Sequence, residues 1–356
     1  MLLEDLGWDD AWAAQFDLLS DLGDVPGRVV IEFNHIFRVS TEAGEFNASS
    51  SGRLRHQATS RSELPSVGDW VVVRRPQGHH RATICAVLPR RGRFSRKVAG
   101  HLTDEQVVAA NVDVVFLVMA LDEDFNTRRL ERYLVVAGES GAAPVVLLTK
   151  PDVCPDVPAR VAEAAAVAGG VPIHVLNPRQ SEGLTHVTSR LPPGRTGALL
   201  GSSGVGKSTI INRLAGAEVQ RTQEVRTLDS KGRHTTTHRE LIVLPDGGLL
   251  IDTPGMRELQ LWDMPVAVGA TFDDIDALAP MCHFSNCRHR EEPRCAVQAA
   301  VEAGTLPADR LESYLKLQAE LEQLARQKDE RQIIDEKRRG KTHTRTVRER
   351  LTEKDR

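Results

Sequence analysis

Four short stretches of the chain carry residue types whose spacing can do chemistry. Gly201-Ser202-Ser203-Gly204-Val205-Gly206-Lys207-Ser208-Thr209 follows the apolar run Ala198–Leu200 and precedes the helix-like Ile210–Leu214. Strand, glycine loop and helix is the context of a phosphate-binding loop. Its glycines let backbone N–H groups close around phosphate oxygens, and the helix N-terminus adds its positive end. Lys207 then meets the β- and γ-phosphates, and Ser208 ligates Mg²⁺. Asp252-Thr253-Pro254-Gly255 closes the apolar run Leu249–Ile251, 45 residues past Lys207. An acid at that place holds Mg²⁺ through water, while the N–H of Gly255 senses the γ-phosphate. Thr149-Lys150-Pro151-Asp152 ends the run Val145–Leu148, with Thr149 where Asn is more usual. An Asp there accepts from the N1–H and exocyclic amine of guanine, and the Lys stem packs on the base. Adenine lacks that donor pair and leaves Asp152 unpaired, so the site selects GTP over ATP. The fourth stretch, Cys282-x₄-Cys287-x-His289-x₅-Cys295, sets three thiols and one imidazole within 14 residues. That set suits one closed, tetrahedral, structural Zn²⁺ site. His283 is a competing imidazole, and Arg288, Arg290 and Arg294 favour the thiolates. Cys85 and Cys154 read as packing residues.

Elements must position these groups. Residues 1–26 mix Trp8, Trp12 and Phe16 with acids and read as a leader helix or irregular segment. From Gly27 the runs Val29–Ile31, Trp70–Val73 and Thr83–Val87, broken by Gly, Ser and Pro, predict a small OB-like β-barrel over 27–97, including a linker at 90–97. The polar stretch Ala48–Glu63 reads as a barrel loop. Over 98–264, apolar runs alternate with helical stretches near Thr127–Ala137, Ala159–Ala168 and after Gly206, which predicts a mostly parallel sheet covered by helices. Residues 265–336 turn helical around the cysteines, with Leu311, Tyr314, Leu315, Leu321 and Leu324 at helical spacing, and 337–356 form a basic tail.

Charge sharpens the division. The 356-residue chain has a net charge of only −3, yet residues 53–97 carry +9 and 337–356 carry +6, leaving −18 for the rest. Two basic arms on an acidic body fit an anionic polymer partner. Arg53, Arg55, Arg61, Arg74, Arg75 and Arg81 are the barrel residues expected to meet RNA. The longest apolar run, Val114–Leu121, is eight residues, against the ~20 a membrane-spanning helix needs, so no membrane partner is expected. An acidic N-terminus and clustered cysteines point to a cytoplasmic, reducing setting.

The motif order is unusual. Ordinary G domains run phosphate loop, Asp-x-x-Gly, then base reader; here the base reader comes some 50 residues before the phosphate loop. The pattern is a circular permutation, which a sheet tolerates because strand position need not follow chain order. A basic barrel, permuted motifs and a Cys/His module together resemble the circularly permuted small-ribosomal-subunit biogenesis GTPases, the RsgA family, over about residues 27–330. The fold implied is α/β: a circularly permuted P-loop GTPase domain with an N-terminal OB-like barrel and a C-terminal helical zinc-binding domain. The resemblance implies GTP hydrolysis to GDP stimulated by the small ribosomal subunit and its rRNA, late in subunit maturation, by a monomer. Met256 follows Asp-x-x-Gly where many GTPases place a water-orienting Gln. Gly232-Arg233-His234-Thr235-Thr236-Thr237 fits a switch loop, in which one of Thr235 and Thr236 completes the Mg²⁺ shell. The resemblance maps the family's proposed water-positioning His onto His234. The runner-up reading is a passive RNA-binding module with structural nucleotide; a small-metabolite kinase would leave Thr149–Asp152 unexplained.

Overall fold

The computed structural model describes residues 2–33, 36–75, 81–97, 105–216, 239–252, 271–323 and 326. They fall into two units, one reaching from the N-terminus to residue 273 apart from Lys97, and the other carrying Lys97 and the residues from 274 onward.

Helix α1 (Asp10–Leu19) begins where the Asp9 carboxylate accepts from the Trp12 N–H at 3.0 Å. Trp12 is buried, and Trp8 meets Trp70 edge-on with centroids 4.7 Å apart, so the leader packs against the barrel. The barrel runs β1 (Val25–Phe33), β2 (Ile36–Thr41), β3 (Gly44–Ser50), β5 (Arg81–Val87) and β4 (Trp70–Arg74), and β4 pairs back onto β1 from Val25↔Val73 to Arg28↔Trp70. Closure removes the exposed edges and encloses Val29, Phe37, Val39, Val71, Val73 and Ile84. The stretch expected as one polar loop is more ordered than that. Ser51 accepts from the Leu54 N–H at 3.0 Å, caps α2 (Gly52–Gln57), and lets Leu54 pack on the barrel core. The predicted linker is likewise built in. Arg90 forks onto Asp69 with two 2.7 Å contacts, and β6 (Arg93–Lys97) pairs with β7 (Glu105–Ala110).

The second half of this unit is the expected α/β layer. Its strands are β8 (Val114–Ala120), β9 (Ala143–Thr149), β10 (Ile173–Leu176), β11 (Thr196–Leu200), β12 (Arg239–Val243) and β13 (Leu249–Asp252), in the order β10-β9-β8-β11-β13-β12. All neighbours are parallel except β12 with β13. Every residue of β8 is buried, as a parallel strand covered on both faces requires. The covering helices include α3 (Thr127–Ser140), α4 (Val157–Val167), the short α5 (Thr185–Thr188) and α6 (Lys207–Ala215). β9 and β11 flank β8, so the segment expected to read the base, at the end of β9, reaches across the end of β8 to the loop after β11 although it precedes that loop in the chain. That arrangement is how the permuted order yields an ordinary site.

The sheet does not stop at β12. Strand β1 pairs with β12 through Ile31↔Glu240 and Glu32↔Arg239, which makes one continuous 11-stranded sheet of barrel and α/β layer. At this seam Arg239 meets Glu32 at 2.7 Å, both nearly buried. Arg28, only 2% exposed, donates to the Leu6, Gly68 and Asn111 carbonyls and to Thr196 Oγ1 at 2.9 Å. Burial pulls this guanidinium down to about 10, still charged at neutral pH.

In the second unit, α7 (Asp273–Leu278), a turn through the cysteines, α8 (Ala296–Glu302) and a helix over 308–323 follow in order. Leu311, Tyr314 and Leu317 are buried, Leu315 and Leu321 are half-buried, and Leu324 lies outside the described residues. Arg310 holds Asp274 through two contacts of 2.5 and 2.9 Å. Among the described residues no helix is long and apolar enough to cross a membrane.

Candidate nucleotide site and metal cluster

The loop Gly201–Gly206 joins β11 to α6, so the sheet delivers it at the carboxyl end of its central strands. Two glycines are dictated by geometry. A Cβ on Gly201 would lie 2.3 Å from the Val118 carbonyl oxygen, and Gly206, at φ 99°, enters the helix from the left-handed region. Lys207 Nζ bends back over the loop and donates to the carbonyls of Gly201 and Ser202 at 2.6 and 2.5 Å. Ser208 and Thr209 stand in the first turn of α6, where orphan N–H groups and the helix dipole favour an anion. Asp252 ends β13, one step beyond the Ala198↔Ile251 pair, beside the root of the loop.

The turn expected to read the base ends β9. Thr149 is completely buried; its hydroxyl donates to the Val205 carbonyl at 2.6 Å and reaches the Met119 carbonyl at 3.3 Å. The Thr149 hydroxyl is thus already engaged by the chain itself. It binds the turn to the phosphate loop, bracing the site where Asn is usual. Lys150 takes the left-handed conformation, φ 58°, and its ammonium meets Asp122 at 2.7 Å. Burial raises the Asp122 carboxyl, but hydrogen bonds led by Lys150 outweigh it and leave the group below its ordinary value. Pro151 and Asp152 open a single 3-10 turn, and Asp152 Oδ1 accepts from Asn177 Nδ2 at 3.2 Å. Asn177, just past β10, escaped the sequence reading, since a lone Asn-Pro at a strand end has no distinguishing spacing. His234, Thr235, Thr236, Gly255 and Met256 lie outside the described residues.

The four predicted metal ligands converge. Cys282 Sγ, Cys287 Sγ, a His289 ring nitrogen and Cys295 Sγ all lie within 4.8 Å of one another. Cys282 and Cys295 sulfurs are 3.8 Å apart, too far for a disulfide, and His289 Nδ1 is 3.5 and 3.4 Å from them. A tetrahedron with roughly 2.3 Å metal–sulfur and 2.0–2.1 Å metal–nitrogen bonds has edges of about 3.8 and 3.5 Å. The donors therefore fit a metal ion of the zinc type. Burial lowers the His289 imidazole, keeping it neutral as a ligand must be. Competing His283 is exposed and rests edge-on against Phe284. Glu292, missed in the sequence, accepts from the N–H groups of Arg288 and Arg290 at 2.9 and 2.8 Å and tightens the turn that presents His289.

The basic stretch is less free than its count suggests. Arg74 grips Asp24 and Asp21 at 2.8 Å, and those bonds hold the Asp24 carboxyl below its ordinary value. Arg91 pairs with Asp9 at 2.6 Å and Arg93 with Glu105 at 3.3 Å. Acids of the leader thus consume part of the barrel's charge, and Arg74 is not a free phosphate ligand. Arg53, Arg55, Arg61, Arg75 and Arg81 are exposed, with Arg75 stacked 4.0 Å over the Phe46 ring.

Comparison with known proteins agrees with this geometry. The chain matches the family model of RsgA GTPases over residues 87–262 and that of 50S ribosome-binding GTPases over 196–334. It is 48% identical over 338 residues to the small ribosomal subunit biogenesis GTPase RsgA of Opitutus terrae, covering 92% of each chain. With its namesake from Syntrophotalea carbinolica it shares 41% over 350 residues, 96% of each chain. Among solved structures it is similar to YjeQ from Thermotoga maritima, with TM-score 0.62 and 28% identity over 84% of this chain and 98% of that one. YloQ, described as a circularly permuted GTPase, matches with TM-score 0.58 and 22% identity over 84% and 96%, a likeness of fold.

Proposed function

The chain belongs to the RsgA family of GTPases, and from that premise we propose that it binds the small ribosomal subunit and hydrolyses GTP to GDP and phosphate late in that subunit's maturation, with turnover stimulated by the subunit. One observation carries the reading: a guanine-reading turn and a phosphate loop, distant in sequence, meet through the Thr149–Val205 hydrogen bond at the ends of β9 and β11, two strands that flank β8. In this assignment Asp152 reads guanine and Lys150 flanks it. The N–H groups of residues 201–209 and the Lys207 ammonium hold the phosphates, and Ser208, Asp252 and one of Thr235 and Thr236 hold Mg²⁺. Bound there with the nucleotide, Mg²⁺ would supply positive charge for the phosphate oxygens; the chain's own part is to position the nucleotide. Cys282, Cys287, His289 and Cys295 would hold one Zn²⁺ ion, whose role with four protein donors would be structural. Arg53, Arg55, Arg61, Arg75 and Arg81 contact rRNA phosphates. The protein works as a cytoplasmic monomer.

Base choice is tested at Asp152. Asp152→Asn keeps one acceptor but loses the second and the charge, so GDP binding measured by calorimetry is expected to weaken by about 2–3 kcal/mol, roughly 30–150-fold. Wild-type protein that bound ADP as tightly as GDP would refute the assignment. For His234, the expected result of His234→Ala is near-normal GTP binding with subunit-stimulated turnover down roughly 100-fold, the scale of a lost water-positioning group. Unchanged turnover would remove His234 from the mechanism.

A further inference from the structure

The connection between β8 and α3, residues 121–126, touches both halves of the nucleotide site. Its Asp122 holds the Lys150 ammonium of the base-reading turn at 2.7 Å. Its Asp124 holds the Arg129 guanidinium at 2.5 Å, and the same Arg129 nitrogen donates to Ser202 Oγ of the phosphate loop at 2.7 Å. Tyr133, one turn further along α3, brings its hydroxyl to 3.5 Å from the same Ser202 oxygen. Arg129 is fixed at both ends, because Asn126 caps its backbone N–H at 3.0 Å while Asp124 turns its side chain. Helix energetics do not favour a cation there. The first turn of a helix carries positive partial charge, which repels a guanidinium. The position is explained by what Arg129 reaches.

We propose that Arg129 is a positioning residue of the phosphate loop: oriented by Asp124, it fixes the Ser202 hydroxyl and through it the backbone N–H groups that receive phosphate. By way of Asp122, the same connection sets Lys150, so one segment keeps the base and phosphate subsites in register. This rests on the reading of residues 201–209 as the phosphate site and deepens it. Ser202 is reached by a charged donor, and bonds of that kind are stronger than neutral ones.

The test is a double-mutant cycle on the full-length protein, following release of fluorescently labelled GDP in the presence of Mg²⁺. Arg129→Ala and Ser202→Ala are each expected to speed release about tenfold, the low end for a charge-assisted hydrogen bond at a partly exposed site. The double variant is expected to be no faster than the worse single, because both changes remove one contact. Melting temperatures without nucleotide should stay within error of wild type, while the rise on adding GDP shrinks; a merely structural role would lower the nucleotide-free value instead. Singles without effect, or effects that multiply in the double, would overturn the proposal. If Arg129→Ala does not fold, Arg129→Lys replaces it in the cycle, since a single ammonium cannot span Asp124 and Ser202 together. If the wild-type chain bound ADP as tightly as GDP, the guanine reading would fall, and the cycle would still run with labelled ADP.

Discussion

Removing the metal from Cys282, Cys287, His289 and Cys295 is expected to unfold the second unit. Among the described residues no strand supports the turn holding these residues, and His289 and Arg294 both sit at positive φ, 57° and 60°. Non-glycine residues in that region cost roughly 1–3 kcal/mol each unless the surroundings fix them. Among the described residues there, the buried apolar side chains are few, chiefly Ile275, Val297, Leu306, Leu311, Tyr314 and Leu317. A structural zinc ion supplies an apparent ~10–16 kcal/mol at neutral pH, far more than so small a core can replace. Cys295→Ser should act doubly, because Cys295 Sγ also accepts from the Gln298 N–H at 3.4 Å and caps α8. The expected result is one zinc per wild-type chain, none in the variant, and loss of helical circular dichroism on chelation with GDP binding retained. Wild-type protein purified without chelator that contained no zinc, or that melted identically with and without chelator, would contradict this.

Arg28→Met is expected to be the most damaging single change in the first unit. The side chain joins three backbone carbonyls and the Thr196 hydroxyl, drawn from the leader, the β3–β4 connection, the β7–β8 turn and the start of β11. Methionine of similar length fills the space and leaves all four acceptors dry. Asp113 and Asp69, whose charges favour the buried guanidinium, would also lose a nearby positive charge, although Asp69 keeps its fork with Arg90. Breaking such an arrangement costs about 3–5 kcal/mol, a large share of the roughly 5–15 kcal/mol that separates native from unfolded protein. Thermal and denaturant melts of the GDP-bound protein measure it. Arg28→Lys should fall between, since three donors on one nitrogen cannot span acceptors so far apart; a change under 1 kcal/mol for Arg28→Met would show that the seam does not depend on this residue.

Short-range chemistry was legible in the sequence, and long-range pairing was not. The glycine loop, the base-reading turn and the cysteine spacing are local patterns, with strand or helix signals directly beside them. They led to the permuted order, the parallel sheet and the convergence of three cysteines and His289. Nothing local announces that Arg239 will find Glu32, 207 positions away, or that Arg28 will reach Thr196, 168 away. The continuation of the sheet from β12 into the barrel is unreadable for the same reason. Charge counting misled in a specific way. Arg74 and Arg91 look like members of a basic arm until Asp9, Asp21 and Asp24 of the leader fold against them. Thr149 was read by analogy of position, whereas its hydroxyl spends itself on the Val205 carbonyl, which only the folded neighbour reveals. Arg129 has no distinguishing local pattern, and its contact with Ser202 depends on β8 and β11 being neighbours.

The central claim is that a guanine-selective site, assembled from a permuted chain, turns over when the small ribosomal subunit is bound. Phosphate release from GTP and from ATP, each measured with and without purified small subunits, tests it most directly. The account predicts slow GTP hydrolysis alone, a rise of at least roughly tenfold with subunits, and no comparable ATP turnover in either condition. Equal hydrolysis of ATP and GTP, or a GTP rate indifferent to subunits, would contradict it.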